Sequence, residues 1–423
     1  MIDLHEALGI IEQFSASLNP KTLMSPLPDI VGKIAAHDME SPETLPAFTN
    51  SAMDGYAVSE SYIKGLEGQR DIELKIVGES SAGKPFEKSL DPRKAQACKI
   101  MTGAPLPEGA DSVIKIEDTS EPRPGVVMVP GGIVLGQNCR YAGEDLNAGD
   151  KIIRAGQKMT EGSVLLCSAL GITHIPVFDS ISIAIIPTGN EIVDYRQKAD
   201  ARQGVIRNST APYLKAAAKA QGCHVSLAPP VRDDPATLIS HIRKQLEGPA
   251  QILITTGGVS AGSYDYIPGI VRDLGGVIQF HKVAIRPGKP VLFATFETPG
   301  QPTKMLFGLP GNPVSTVIGF RCFVQAAISA MKGEKHLAMM AVTLQKSCKS
   351  HPNFSHFLKG RLSASAEGQL MVTPCKRQGS HQIGDLGTMN CWIYSPQGAS
   401  GHAEGSSVRV LPKNNNEINL LTL

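Results

Sequence analysis

The feature that most constrains this chain lies between residues 181 and 331, where short apolar runs alternate with helical patterns. ISIAII, CHVSLA and QILITT read as buried strands, and NSTAPYLKAAAKAQG, PATLISHIRKQLEG and DYIPGIVRDLGG read as the helices between and after them. Strands joined through helices pair in parallel, so this pattern predicts βαβ units on a parallel sheet. VLFATF and MLFGL add strands, and an apolar helix is expected from Pro313 to about Met331. We therefore expect a central α/β domain over residues 180–331.

A chain of 423 residues needs further cores beyond that domain. Residues 46–140 alternate short apolar segments (IELKIVG, SVIKIE, VVMV) with Gly and Pro turns, which predicts an inserted β module. Residues 1–45 are expected to be largely helical and to pack with 141–179, whose EGSVLLCSALG segment reads as a helix ending at a Gly cap. After Lys332, the segments LAMMAVTLQ, QLMVTP, CWIYSP and SSVRVLP predict a C-terminal β domain over 332–423. The expected class is multidomain α/β plus β.

Charge narrows the partners. Forty-one Lys plus Arg nearly balance 39 Asp plus Glu, so no global basic field exists to hold nucleic acid, and any anion site is built locally. Every long apolar stretch is interrupted by Gly, Pro or a charge before it reaches the length of a membrane span. The N-terminal MIDLHEALGIIEQF lacks the basic and apolar regions of a secretion signal, and the eight cysteines show no paired spacing for zinc or disulfides. A soluble cytoplasmic protein is expected, with most cysteines as small core residues.

In an open parallel sheet, ligands bind beyond the carboxyl ends of the strands. Four such ends can be read here: PTGNE with Glu191, RDDP with Asp233 and Asp234, GGVSAGSYD with Asp265, and LPGNPVS with Ser315. Taken singly, each is ordinary turn or cap chemistry. Taken together, three acid-bearing ends on one sheet favour a site. Gly257, Gly258 and Gly262 would let backbone N–H groups approach an anion, while Asp265 either caps the next helix or faces the pocket. The spacing matches neither G-x-x-x-x-G-K-[ST] nor G-x-G-x-x-G. In HKVAIRPGKPV, Lys282, Arg286 and Lys289 surround a Pro-Gly turn that would preorganise them as an oxyanion clamp, and the acids beside them suit a phosphorylated substrate with Mg²⁺. Asp54 in NSAMDGYA and Thr102 in MTGAP suit turns equally well.

These segments, in this order, resemble the molybdopterin molybdenumtransferase family, the MoeA-type enzymes related to the E domain of gephyrin. The resemblance rests on NSAMDGYA, MTGAPLPEGAD, AGED, PTGNE, RDDP, TTGGVSAGSYDY, RPGKP, GLPGNPVS and QGSH, spread over nearly the whole chain. It implies a homodimer of elongated four-domain subunits that uses Mg²⁺, takes adenylylated molybdopterin and molybdate, releases AMP and yields molybdenum cofactor. It also implies an active site at the subunit interface, where Asp54 and Thr102 of one copy reach the α/β pocket of the other. By resemblance Asp54, Thr102, Glu191, Asp233 and Asp265 are catalytic, the last three also holding metal. Arg140, Asp145, Gly257, Gly258, Ser260, Lys282, Arg286, Lys289, Ser315, Lys359 and Ser380 would bind substrate. Molybdopterin adenylyltransferase and molybdoenzyme maturation proteins are expected partners.

Three departures stand out. The family usually reads TGDE where this chain has TGNE, so Asn190 removes a carboxylate; Arg286 replaces a common Lys and gains a bidentate fork. The family's Arg in FxRG is Lys359 in FLKG here, with Arg361 nearby. Competing readings are a molybdopterin adenylyltransferase, against which the extra β modules speak, a scaffold protein, and a diverged paralogue that binds the pterin without turning over or handles tungstate.

Overall fold

The structure is a computed structural model that describes residues 1–413 apart from 19, 67, 201–203, 260–264, 298, 301 and 335–337. The chain packs as two compact units, one of Met1–Ala36, Ala155–Thr160 and Ile175–Leu423, the other of His37–Arg154 and Glu161–His174.

The first unit opens with helix α1 (Leu4–Ala16), capped by Asp3, whose carboxylate accepts from the Glu6 N–H at 2.8 Å. Leu4, Ala7, Ile11 and Ser15 fall on one buried face at helical spacing. That stripe enters the core made by Ile183, Ile254, Phe307 and Ala327. The expectation that residues 1–45 are largely helical is therefore corrected, whereas their expected packing with 141–179 is seen in strand pairs, Thr22–Pro26 with His174–Phe178 and Met39–Glu40 with Lys151–Ile153. Beyond Ala16, only a 3₁₀ turn at Leu27–Asp29 is helical among the described residues of this stretch, and α1 belongs to the α/β core, where its apolar stripe is buried.

The α/β layer runs β1 (Ser182–Pro187), α2 (Thr210–Ala220), β2 (His224–Leu227), α3 (Pro235–Glu247), β3 (Ile252–Thr256), α4 (Ile267–Asp273), β4 (Val277–His281), β5 (Leu292–Phe296), β6 (Lys304–Leu309) and α5 (Pro313–Gly319). The sheet order is β2-β1-β3-β6-β5-β4. β2, β1, β3 and β6 are parallel, as the alternation predicts, but β5 runs antiparallel to both its neighbours, β6 and β4. The reason is chain length: residues 297–303 alone join β5 to β6, and a parallel return needs a crossover of about a dozen or more.

The apolar run Pro313–Met331 forms one helical rod with a π-helical turn at Phe320–Val324. It is the one described helix long and apolar enough by length and composition to cross a bilayer, but Gly319 and Arg321 interrupt it as expected, and 94% of its 18-residue apolar window is buried inside the chain, as fits a core helix. Arg321 in the π turn is buried and ties the rod to the C-terminal strands by donating from Nε to the Pro412 carbonyl at 3.2 Å.

Five C-terminal strands, Met340–Leu344, Ser355–Ala364, Leu370–Pro374, Cys391–Ser395 and Ser407–Pro412, pair round into a closed ring. Closure removes exposed strand edges. The short strand Ile285–Arg286 adds to this ring beside Ser355–His356, so the β4–β5 connection that carries RPGKP links the unit's two six-stranded sheets. The second unit holds a six-stranded sheet in the order 112–115, 55–58, 96–100, 71–80, 126–130, 120–123, with apolar clusters around Tyr56, Leu74 and Val127 and around Ala57, Cys98 and Val113.

Candidate active site

The first unit gathers its site residues along one rim, at the carboxyl ends of β1, β3 and β6. RDDP shows how the local sequence sorts its two acids. Asp234 caps α3, accepting from the Thr237 N–H at 2.9 Å and its hydroxyl at 2.6 Å, with Pro235 at the first helical position. Asp233 is thereby left half-buried on the rim. Its carboxyl is pushed above the usual range by burial and by the charges of Glu191 and Asp265, against hydrogen bonds from the Asn190 backbone and the Thr188 side chain. Two acids of the sequence prediction, Glu191 and Asp265, thus act on the third.

Asn190 faces the same residue. Its side-chain oxygen accepts from the Asp233 N–H at 3.2 Å, so the position that departs from the family's acid still serves as the acceptor that an aspartate would be. Among the described residues no three His, Cys, Asp or Glu side chains stand close enough to hold a metal by themselves. The carboxylates Glu191, Asp233 and Asp265 are therefore not a self-sufficient metal cage.

From this acid corner the rim continues by close approaches. A Cβ on Gly257, which has φ 98°, would lie 2.9 Å from Thr188 Oγ1, and one on Gly311 would lie 3.9 Å from Gly257 Cα. Gly257 is not an anion donor as expected. Its N–H continues the β3–β6 ladder by donating to the Leu309 carbonyl at 2.9 Å. Gly258 stays on the rim, while Ser260 lies outside the described residues. Beyond Gly311, Ser315 is buried in the first turn of α5. A Cβ on Gly288 of the RPGKP loop would lie 3.5 Å from the Ser315 carbonyl, and the Val314 N–H donates to the Ser380 carbonyl at 3.1 Å. RPGKP, GNPVS and QGSH therefore meet at the start of α5.

The cations of this loop are poor in partners. Lys282 is half-buried with φ 73°, Arg286 and Lys289 are exposed, and none of the three forms an ion pair among the described residues. Lys289 stands over the Phe354 ring at 6.0 Å. His356, paired across the strands with Arg286, is pushed down to about 4 by burial, by Arg286 and by His351. His351 and His356 were missed from the sequence, because nothing in HPNFSHF signals that it folds beside RPGKP. A local cation excess with no protein anion suits an anionic ligand.

Lys359 corrects a second expectation. It is only 1% exposed, and its ammonium donates to the carbonyls of Gly379 at 3.3 Å and Gln382 at 2.9 Å, so it does not face an oxyanion. Burial is invisible in FLKG, which reads equally well as a surface strand. Arg361 is exposed and donates to the Thr388 hydroxyl at 2.8 Å.

In the second unit, NSAMDGYA, MTGAP and RYAGED converge on the strand Asn50–Ser51. Ser51 pairs with Cys139 and Asn50 with Arg140, and the Gly103 N–H donates to the Ser51 carbonyl at 2.8 Å. Asp54 Oδ1 accepts from both the backbone N–H of Thr102 (2.7 Å) and its hydroxyl (2.8 Å), which hold its carboxyl below the usual range. Sequence alone left this pair as two separate turns; the structure joins them. Arg140 and Asp145 are exposed on the same corner, with Phe48, Met53 and Tyr141 as exposed apolar neighbours.

Comparison with known proteins agrees in every segment. Residues 2–171 match the MoeA N-terminal region (domain I and II), 184–330 a probable molybdopterin binding domain, and 341–413 the MoeA C-terminal region (domain IV). A molybdopterin molybdenumtransferase of Synechococcus elongatus is 33% identical over 385 residues, covering 91% of this chain and 93% of its own. One from Staphylococcus aureus is 30% identical over 413 residues, covering 97% and 95%. The crystal structure of a molybdopterin biosynthesis MoeA protein from Pyrococcus horikoshii superposes with a TM-score of 0.82 at 26% identity, covering 98% of this chain and all of that one.

Proposed function

This chain belongs to the MoeA family of molybdopterin molybdenumtransferases, and from that premise we propose that it inserts molybdenum from molybdate into adenylylated molybdopterin, releasing AMP. The family assignment makes it an enzyme of molybdenum cofactor biosynthesis. The observation that supports the finer reading is the junction at the start of α5, where the RPGKP loop, whose Arg286 and Lys289 form no ion pair among the described residues, meets Ser315 and the Ser380 loop, with Lys282 at the end of β4. Molybdate and the substrate's phosphoanhydride are both anionic, and such a cluster neutralises them without a compensating protein acid.

The acid corner performs a different task. Burial and the charges of Glu191 and Asp265 raise the Asp233 carboxyl, an opposition that a divalent cation would relieve. Such a donor set fits Mg²⁺, which takes one or two carboxylates and completes its shell with water and phosphate oxygens. When bound, Mg²⁺ would supply charge neutralisation as the phosphoanhydride breaks. The chain's own residues bind and orient. Asn190 and Thr188 fix Asp233, Lys282, Arg286 and Lys289 hold the oxyanion, and α5 presents Ser315 and the Ser380 loop. No protein nucleophile is required, because an oxygen of molybdate or water attacks phosphorus and AMP departs.

The Asp54–Thr102 corner completes the site in a homodimer, presented to the partner copy's rim. Cytoplasmic placement suits eight free cysteines. The test is direct. Purified protein incubated with adenylylated molybdopterin, molybdate and Mg²⁺ should release AMP, and release no greater than in a protein-free control rejects the proposal.

A further inference from the structure

Lys359 lies in the strand Ser355–Ala364 and is almost wholly buried, yet it forms no ion pair among the described residues. A buried ammonium costs several kcal/mol unless its donors are satisfied, and an apolar chain of similar volume would fill the space more cheaply. What Lys359 gains instead is one loop. Its Nζ donates to the carbonyls of Gly379 and Gln382, its backbone N–H donates to Gln378 Oε1 at 2.8 Å, and its carbonyl accepts from Gln378 Nε2 at 3.0 Å. Within the loop, the Gly379 N–H donates to Gln382 Oε1 at 2.8 Å.

The far side of the same loop is fastened to the rim. The Ser380 carbonyl accepts from the Val314 N–H in the first turn of α5, next to Ser315. One short segment is thus gripped from beneath by Lys359 and seated above on the helix that borders the cation loop. We propose that Lys359 is a positioning residue, whose buried ammonium holds residues 378–382 so that Ser380 is presented beside Ser315 at the start of α5. The link to substrate rests on the transferase reading; the holding of the loop does not. A lysine at this position acts on the oxyanion through the loop rather than by touching it.

Amide hydrogen exchange and steady-state kinetics on the full-length protein test this. In Lys359→Met, the amides of residues 379–382 and Val314 should exchange about tenfold faster or more, since two hydrogen bonds from a charged donor are lost. Amides of β3 should be unchanged. The KM for molybdate should rise severalfold with a smaller change in kcat, and Lys359→Arg, which keeps donors in place, should restore both. Unchanged loop exchange in Lys359→Met overturns the proposal. Faster exchange with an unaltered molybdate KM overturns the link to substrate. A wild-type protein that releases no AMP rejects the transferase reading alone, because exchange still decides whether Lys359 holds the loop. Should Lys359→Met fail to fold, Lys359→Gln, whose neutral amide reaches one carbonyl, carries the same expectation for exchange.

Discussion

At RDDP two adjacent aspartates meet opposite surroundings: Asp234 is satisfied by the first turn of α3, while Asp233 is half-buried and crowded by Glu191 and Asp265. The sign of the consequence follows from linkage. A carboxyl raised in the folded state binds more protons folded than unfolded, so its favourable contribution is present at low pH and is lost as pH rises through the folded value. Above that window the ionised Asp233 opposes folding. Asp233→Asn should therefore raise the melting midpoint at pH 7 by ~1–2 °C for a unit of this size, a gain that shrinks toward pH 4, while turnover falls sharply. A variant less stable at pH 7, seen by calorimetry, contradicts the strained-carboxylate account. Asn190 belongs to the same scale. Asn190→Ala removes the acceptor for the Asp233 N–H and should cost about 0.5–1.5 kcal/mol, whereas Asn190→Asp keeps the acceptor but adds a carboxylate beside Asp233 and should unfold in urea below the wild-type midpoint at pH 7, with the difference shrinking as pH falls. The sequence exposed the acids here, because Gly-, Asp- and Pro-rich strand ends are legible. It hid the division of labour between Asp233 and Asp234, which depends on which carboxylate reaches the helix N-terminus.

Among elements, the legible ones were those whose burial is complete. β1, β3 and β6 read correctly because each carries a continuous buried apolar run, and α3 because its cap and stripe agree. β4, VIQFH, escaped notice: its edge position leaves Val277 exposed and Ile278, Gln279 and His281 half-buried, so neither alternation nor a continuous apolar run appears. Missing β4 also hid the antiparallel half of the sheet and the reason RPGKP sits where it does, as the connection from β4 to β5. The turn after β3 carries a prediction at this scale. Gly257 has a left-handed φ of 98° and passes within contact distance of Thr188, whose side chain supports Asp233. Gly257→Ala combines backbone strain with a collision at Thr188 and should cost about 1–3 kcal/mol. Urea unfolding followed by circular dichroism measures it, and a cost near zero means that the turn has room to relax.

At the scale of the whole molecule the sequence-predicted residues fall into two clusters, a rim in the first unit holding Glu191, Asp233, Asp265 and the RPGKP loop, and a corner in the second holding Asp54, Thr102, Arg140 and Asp145. Each cluster holds both acids and cations, and, as the family resemblance implies, each copy is proposed to contribute one of the two clusters to a shared site. This makes the two halves separable by mutation. Asp54→Ala damages only the corner and Asp265→Asn only the rim, so either homodimer carries two spoiled sites. A mixed dimer of the two variants contains one site with both lesions and one with neither. Random exchange of subunits makes half of all dimers mixed, each with one intact site, so an equimolar mixture should recover roughly a quarter of wild-type AMP release when transition-state contacts are lost independently. Recovery should grow at the rate of subunit exchange and vanish if exchange is blocked by crosslinking each homodimer beforehand. A mixture that stays as inactive as its parents, with exchange demonstrated by mass spectrometry, would place the corner and the rim of one copy in the same site and sink the shared-site arrangement.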